Sequence, residues 1–153
     1  MPTCAEATPR LPLPERRKDA DNSHTNTSMA ETRCYWYERN EHLVSGWEPT
    51  FHAEVRWHLL RSVGYSENAT RLQEKTFADD AKAGRPATGP GFADEAFWET
   101  MSADDPRTCA LSVRTANLIV YVGLSGDRHP AAGCEKEATE IAEAAVQAVP
   151  EDT

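Results

Sequence analysis

The clearest periodic stretch is Phe51-His-Ala-Glu-Val-Arg-Trp-His-Leu59, in which every odd position is apolar and every even one polar. Strand side chains alternate between two faces, so this spacing predicts a half-buried antiparallel strand, one face on a core and one toward water. Cys34-Tyr-Trp-Tyr37 is also strand-like, with Cys34 and Trp36 on one face and Tyr35 and Tyr37 on the other. Residues 108–125 read as a hairpin. Cys109, Leu111 and Val113 alternate with Ala110, Ser112 and Arg114, Thr115-Ala-Asn117 turns, and Leu118 to Leu124 returns apolar on both faces, as a central strand does. Phe92 to Met101 carries Phe97 and Trp98 and predicts a further short strand.

Two stretches carry helical spacing. Cys134, Ala138, Ile141, Ala142, Ala145, Val146 and Val149 recur at steps of three and four, with Glu135, Glu137, Glu140 and Glu143 on the opposite side. Pro130 opens this amphipathic helix and Pro150 ends it. Ser66 to Ala83 is the other, with Ser66 as cap, Gly84 as stop and a thin stripe of Ala69, Leu72, Phe77 and Ala81. Gly84 to Gly91 holds three Gly and two Pro and predicts a loop. Ser102 to Arg107 predicts an acidic turn. Residues 5–33 are poor in large apolar groups, so they predict an irregular polar segment with a short helix near Glu15–Ala20. The order of strands, helix, strands, helix predicts an α+β fold: an antiparallel sheet with helices packed on one face. Residues 1–33 form a polar N-terminal segment and 34–150 the single domain.

The chain has 153 residues, room for one ordinary domain. Asp plus Glu exceed Lys plus Arg by 25 to 16, a formal charge of -9. That balance argues against a general nucleic-acid binder and against an anionic membrane surface, both of which need a basic face. The longest apolar run, Asn117 to Leu124, is far short of the ~20 residues a membrane helix needs. No signal-peptide hydrophobic region opens the sequence, and Met1-Pro-Thr-Cys4 does not support a lipid anchor on Cys4.

Four cysteines, Cys4, Cys34, Cys109 and Cys134, change the picture. An even number in a small chain with only 39% apolar residues is the pattern of disulfides in an oxidising compartment. Zinc would call for close pairs such as C-x-x-C, and the nearest neighbours here are 25 residues apart. Three connectivities are open, and local context prefers Cys4–Cys34 with Cys109–Cys134. In the predicted fold, Cys109 on a strand and Cys134 early in the last helix meet where helix packs on sheet.

Catalytic signals are few. Gly123-Leu-Ser-Gly-Asp127 lacks the second glycine of a nucleophile elbow in the required place. His52, Glu54, Arg56 and His58 line the polar side of one strand, but His52 and His58 then sit ~20 Å apart and cannot share an ion. That row reads as a solvated face with Glu54–Arg56 pairing. His24, His42 and His129 fall in loops without metal spacing, and Asp79-Asp80, Asp94-Glu95 and Asp104-Asp105 read as surface charge. No P-loop or dinucleotide fingerprint is present, and the reading implies no cofactor, no metal and no enzyme. Trp36 and Trp57 are core by alternation. Tyr35, Tyr37, Trp47 and Trp98 are the candidates for a partner or ligand surface, since aromatics dominate binding hot spots.

Several segments occur in a telling order: an early cysteine, Cys34-Tyr-Trp36, Phe92-Ala-Asp-Glu-Ala-Phe-Trp98, Leu111-Ser-Val-Arg-Thr-Ala-Asn-Leu-Ile-Val120 and a closing Ala-rich helix. Over roughly residues 34–149 this resembles actinobacterial secreted and lipoprotein domains of uncharacterised function, similar to the extracellular sensor domains of bacterial Ser/Thr receptor kinases. The resemblance implies that Cys34 pairs with Cys4, and that the domain faces the cell envelope and binds something without catalysis. The expectation is therefore an extracytoplasmic, sensor-like binding domain for an unknown small ligand or protein. The alternative is an accessory protein that grips a larger partner through its aromatic surface. A small hydrolase or metalloenzyme is the remaining reading.

Overall fold

The computed structural model describes residues 1–14, 22–37, 51–61, 68–88 and 90–150. Glu15–Ala20, His42, Trp47 and Ser66 lie outside the described residues. Among the described residues, seven strands build one antiparallel sheet: β1 (Asn22–Thr25), β2 (Met29–Tyr37), β3 (Phe51–Leu60), β4 (Arg85–Pro86), β5 (Glu95–Trp98), β6 (Arg107–Thr115) and β7 (Leu118–Ser125). Their order across the sheet is β1-β2-β3-β7-β6-β5-β4. Two meanders thus meet at the β3–β7 pair. One runs inward from β1, and the other starts at the far edge and returns through β5 and β6. The chain must cross from central β3 to edge β4, and α2 (Ala69–Ala81) makes that crossing. The remaining helices are α1 (Cys4–Ala7), followed by a 3-10 turn at Thr8–Arg10, and α3 (Ala131–Gln147).

The α+β class and the antiparallel sheet are as the sequence predicts. One face carries α3 and α1. There Val55, Trp57, Leu111, Val113, Val120, Val122 and Leu124 are closed off from water against Ala138, Ile141, Ala142 and Ala145. Each fully buried large side chain contributes about 1.5–3 kcal/mol relative to exposure. The alanines let the helix lie close, and the Trp57 indole N–H donates to the Ala145 carbonyl at 2.8 Å. Gly133 takes a left-handed φ of 109° that breaks the first turn of α3, so regular helix begins near Cys134. Both disulfides lie on this face. Cys4–Cys34 ties α1 to β2 with Cα atoms 5.6 Å apart, and Cys109–Cys134 ties β6 to α3 at 6.2 Å. Both separations suit an ordinary disulfide.

Four expectations need correction. The helices do not share a face: α2 lies across the opposite side, where Phe77 meets Phe97 edge-on at 5.0 Å and Gln73 reaches His58. The segment before Cys34 is not wholly irregular. The β1–β2 hairpin closes at Asn26, whose side-chain oxygen accepts from the backbone N–H groups of Ser28 and Met29, so the boundary at residue 34 falls inside β2. The Gly84–Gly91 loop contains the two-residue strand β4, paired to Phe97 and Trp98. The cap of α2 is Asn68, whose side chain accepts from the Thr70 N–H at 2.8 Å.

Candidate functional site

The face beneath α2 is built from residues that read as polar in sequence. Strand register aligns them in one row: Arg56 opposite Tyr121, Tyr121 opposite Ser112, and Ser112 opposite Phe97. Neighbouring strands lie about 4.8 Å apart, so the row spans about 14 Å. The adjoining row places His58 opposite Ile119. Thr76, Phe77, Asp80 and Ala83 of the α2 region roof these rows, leaving a groove of about 630 Å³. That volume lies within the range of small-molecule pockets.

The polar groups of the floor divide into engaged and free ones. Tyr121 accepts a hydrogen bond on its hydroxyl from Arg107, which also bonds Glu99 at 2.9 Å and Asp105. Burial pushes the Tyr121 phenol up to about 12, although the Arg107 bond opposes the shift. The Arg107 hydrogen bonds hold Asp105 down to about 2. Arg56 lies over the Tyr121 ring with its guanidinium carbon 4.8 Å from the centroid. The Gln73 amide nitrogen, itself buried, donates to Nδ1 of His58 at 3.4 Å, which leaves the His58 proton on Nε2. Burial lowers the His58 pKa and raises that of Glu54. Among the described residues no hydrogen bond or ion pair reaches the Arg56 guanidinium, the Nε2 of His58 or the Ser112 hydroxyl.

Gly123 shapes this floor. A Cβ there would stand 2.5 Å from the Tyr121 hydroxyl oxygen and 3.1 Å from its ring. Gly123→Ala is expected to displace Tyr121 and to cost about 1–3 kcal/mol. Spectrophotometric titration is the check: the phenol should ionise closer to its ordinary 10 in the variant and near 12 in the parent. Equal titration midpoints would show that the glycine is not what seats the ring.

The sequence-derived site residues scatter. Cys4, Cys34, Cys109 and Cys134 are paired on the α3 face. Tyr35 and Tyr37 are half-buried on β2, and Trp47 is outside the described residues. Trp98 is 9% exposed and belongs to the α3-side core, so it is not a surface aromatic, although it borders a cleft of about 250 Å³ where the Arg85 guanidinium lies over its ring. The Glu54–Arg56 pair does not form, and the row from Glu54 to His58 is half-buried rather than solvated. His52 departs from that row altogether. Trp36 pairs with Ala53 and Tyr37 with Phe51, so His52 is the extra residue of a β-bulge. It is buried, with Nδ1 2.9 Å from Nε2 of His129, whose Nδ1 meets Glu137 at 2.8 Å. The two histidines are 77 residues apart in sequence, and nothing in their spacing announces the contact.

Among the described residues no group of three or more His, Cys, Asp and Glu side chains is arranged to hold a metal, and no helix is long and apolar enough to cross a membrane. Comparison with family models, with curated proteins and with solved structures finds no match to this chain.

Proposed function

We propose that the chain is a non-enzymatic, sensor-like binding domain that works outside the cytoplasm, and that the groove beneath α2 is its ligand site. The observation that carries this reading is the groove floor. Among the described residues, the Arg56 guanidinium, the Nε2 of His58 and the Ser112 hydroxyl keep hydrogen-bonding capacity without a protein partner, inside a recess with aromatic walls. Half-buried polar groups are ordinarily satisfied by protein or solvent, and convergent free ones in a concave site are what a ligand replaces water to meet. The two disulfides support an oxidising compartment. The resemblance to secreted and sensor domains favours the same assignment. Capture of a larger protein through Tyr35, Tyr37, Trp47 and Trp98 has less support, because Trp98 is packed into the core.

The test is a small-molecule fragment screen on the disulfide-intact chain, read by amide chemical shifts in a labelled sample. Binders are expected to move amides of β5, β6, β7 and α2 around the groove. Binders that gather only elsewhere, or none at millimolar concentration, would remove the groove from consideration.

A further inference from the structure

We propose that the groove takes a singly charged organic anion with a slender apolar or aromatic body, its acidic head at Arg56 and its body running along Tyr121 toward Phe97. This rests on the groove being the ligand site, and it adds the chemical class.

The charges around the groove lead to that class. Glu31 is held by Arg33 at 2.5 Å, Asp79 by Lys82 at 2.6 Å and Glu99 by Arg107 at 2.9 Å. Each of these acids therefore already has its cation. Among the described residues Arg56 forms no ion pair: its contact is the ring of Tyr121, and Glu54, two residues along the same strand, acts on it only through space. A guanidinium half-withdrawn from water and without a contact ion pair is suited to a carboxylate, which it meets with two parallel hydrogen bonds. The Nε2–H of His58 and the hydroxyl of Ser112 add donors on the same floor.

The walls set the rest of the ligand. From Arg56 the row continues over Tyr121 and Ser112 to Phe97, with Ile119 beside it and Phe77 above. That path is three strand spacings long, about 14 Å, and mostly apolar, so it fits an extended chain or a flat ring on a short tether. The rim sets the charge limit. Asp80 lines the same groove and forms no ion pair among the described residues, so a second negative charge on the ligand would face an unneutralised carboxylate. Dianions and phosphates are disfavoured for that reason.

The experiment uses phenylbutyrate, phenylbutyramide and phenylbutylamine, with inorganic phosphate as a fourth probe, each titrated into the intact chain and followed by amide shifts. The carboxylate is expected to bind on the order of tenfold more tightly than the neutral amide, and the amine and phosphate more weakly still. Arg56→Gln should cost the carboxylate far more affinity than the amide, bringing the two close together, and Arg56→Lys should restore part of the difference. Amine binding as strong as the acid, phosphate binding stronger than the acid, or indifference to Arg56→Gln overturns the anion assignment. In those cases the shifts still map to the groove, and the ligand-site reading survives. If none of the probes moves a groove amide, both fall. The ligand series on the unaltered chain decides the matter even if a variant fails to fold.

Discussion

Reducing both disulfides is expected to unfold the chain under conditions where the oxidised protein is fully folded. The Cys4–Cys34 link spans a separation of 30 residues and Cys109–Cys134 one of 25. Chain-entropy estimates give roughly 3.5 kcal/mol for each loop, and so about 7 kcal/mol together. A domain of this size has ~5–15 kcal/mol in total. The location of the staples increases the effect. α1 is a single turn, and without Cys4 it keeps few contacts: its capping box at Thr3 and Glu6, and the buried Ala7. Cys134 sits just after the break at Gly133, so Cys109 fixes α3 where its own first turn is irregular. Urea unfolding followed by tryptophan fluorescence, with and without a phosphine reductant, measures the loss. The reduced sample should have most of its amplitude gone in buffer alone. A reduced chain that unfolds at the same urea concentration as the oxidised one would remove the disulfides as the main support, and the argument for an oxidising compartment with them. Mass measurement before reduction should find the chain lighter by four hydrogen atoms than after it.

The asymmetry of the two faces links this stability to the site. The α3 face has both disulfides and the continuous apolar core. The α2 face has a roof whose buried side chains are only Ala69, Gln73 and Phe77. The well-anchored face holds the sheet, and the sheet holds Arg56, Tyr121, Ser112 and Phe97 in register. The roof is the layer with the fewest apolar anchors, and elements with few buried contacts open at lower free energy.

This asymmetry also decides what was legible in the sequence. β3 and α3 were plain because each faces a continuous apolar layer, which forces strict alternation in one and three-four spacing in the other. The start of β2 was obscure because its inward positions there are Ala30 and Thr32, small or polar groups that carry little hydrophobic signal although both are buried. β1 is a polar edge strand and carries no hydrophobic signal at all. The groove floor was misread for a physical reason. Arg56, His58 and Ser112 look solvent-facing by composition, and a polar recess under a thinly apolar helix has the same composition as a wet surface. The position of α2 follows from strand order, from β3 to the far edge, which no local pattern encodes. The bulge that removes His52 from its row is likewise a property of pairing, not of residue type.

That misplaced histidine yields the second large effect. Lowering the pH from 7 to 4 is expected to remove about 3 kcal/mol of stability, most of it through His52. Its ring is 1% exposed, and burial first, then the neighbouring His129 and Arg128, hold its pKa down from 6.5 to about 4. The Glu137 carboxylate only accepts, so Nδ1 of His129 carries a proton, and one further proton occupies the 2.9 Å line between His129 Nε2 and His52 Nδ1. Protonating His52 would place a full positive charge in a buried site beside His129 and Arg128. The unfolded chain has no such restriction and takes up its proton at 6.5. Between pH 6.5 and 4 the unfolded state therefore binds more protons than the native one, and stability falls as pH falls, by about 1.4 kcal/mol per unit. The full contribution is present above 6.5, and the curve flattens below 4. His58, also lowered by burial, adds to the same slope, while Glu54, raised by burial, opposes it. Asp105, held down to about 2 by Arg107, acts in a separate window between 3.8 and 2. Urea midpoints at half-unit steps from pH 4 to 7.5 trace the curve, and His52→Gln isolates its source. Glutamine keeps a hydrogen bond to His129 but cannot titrate, so the variant's slope should be shallower by nearly one proton across the window. Parallel curves for parent and variant would place the acid sensitivity elsewhere and leave the His52–His129–Glu137 chain a structural contact only.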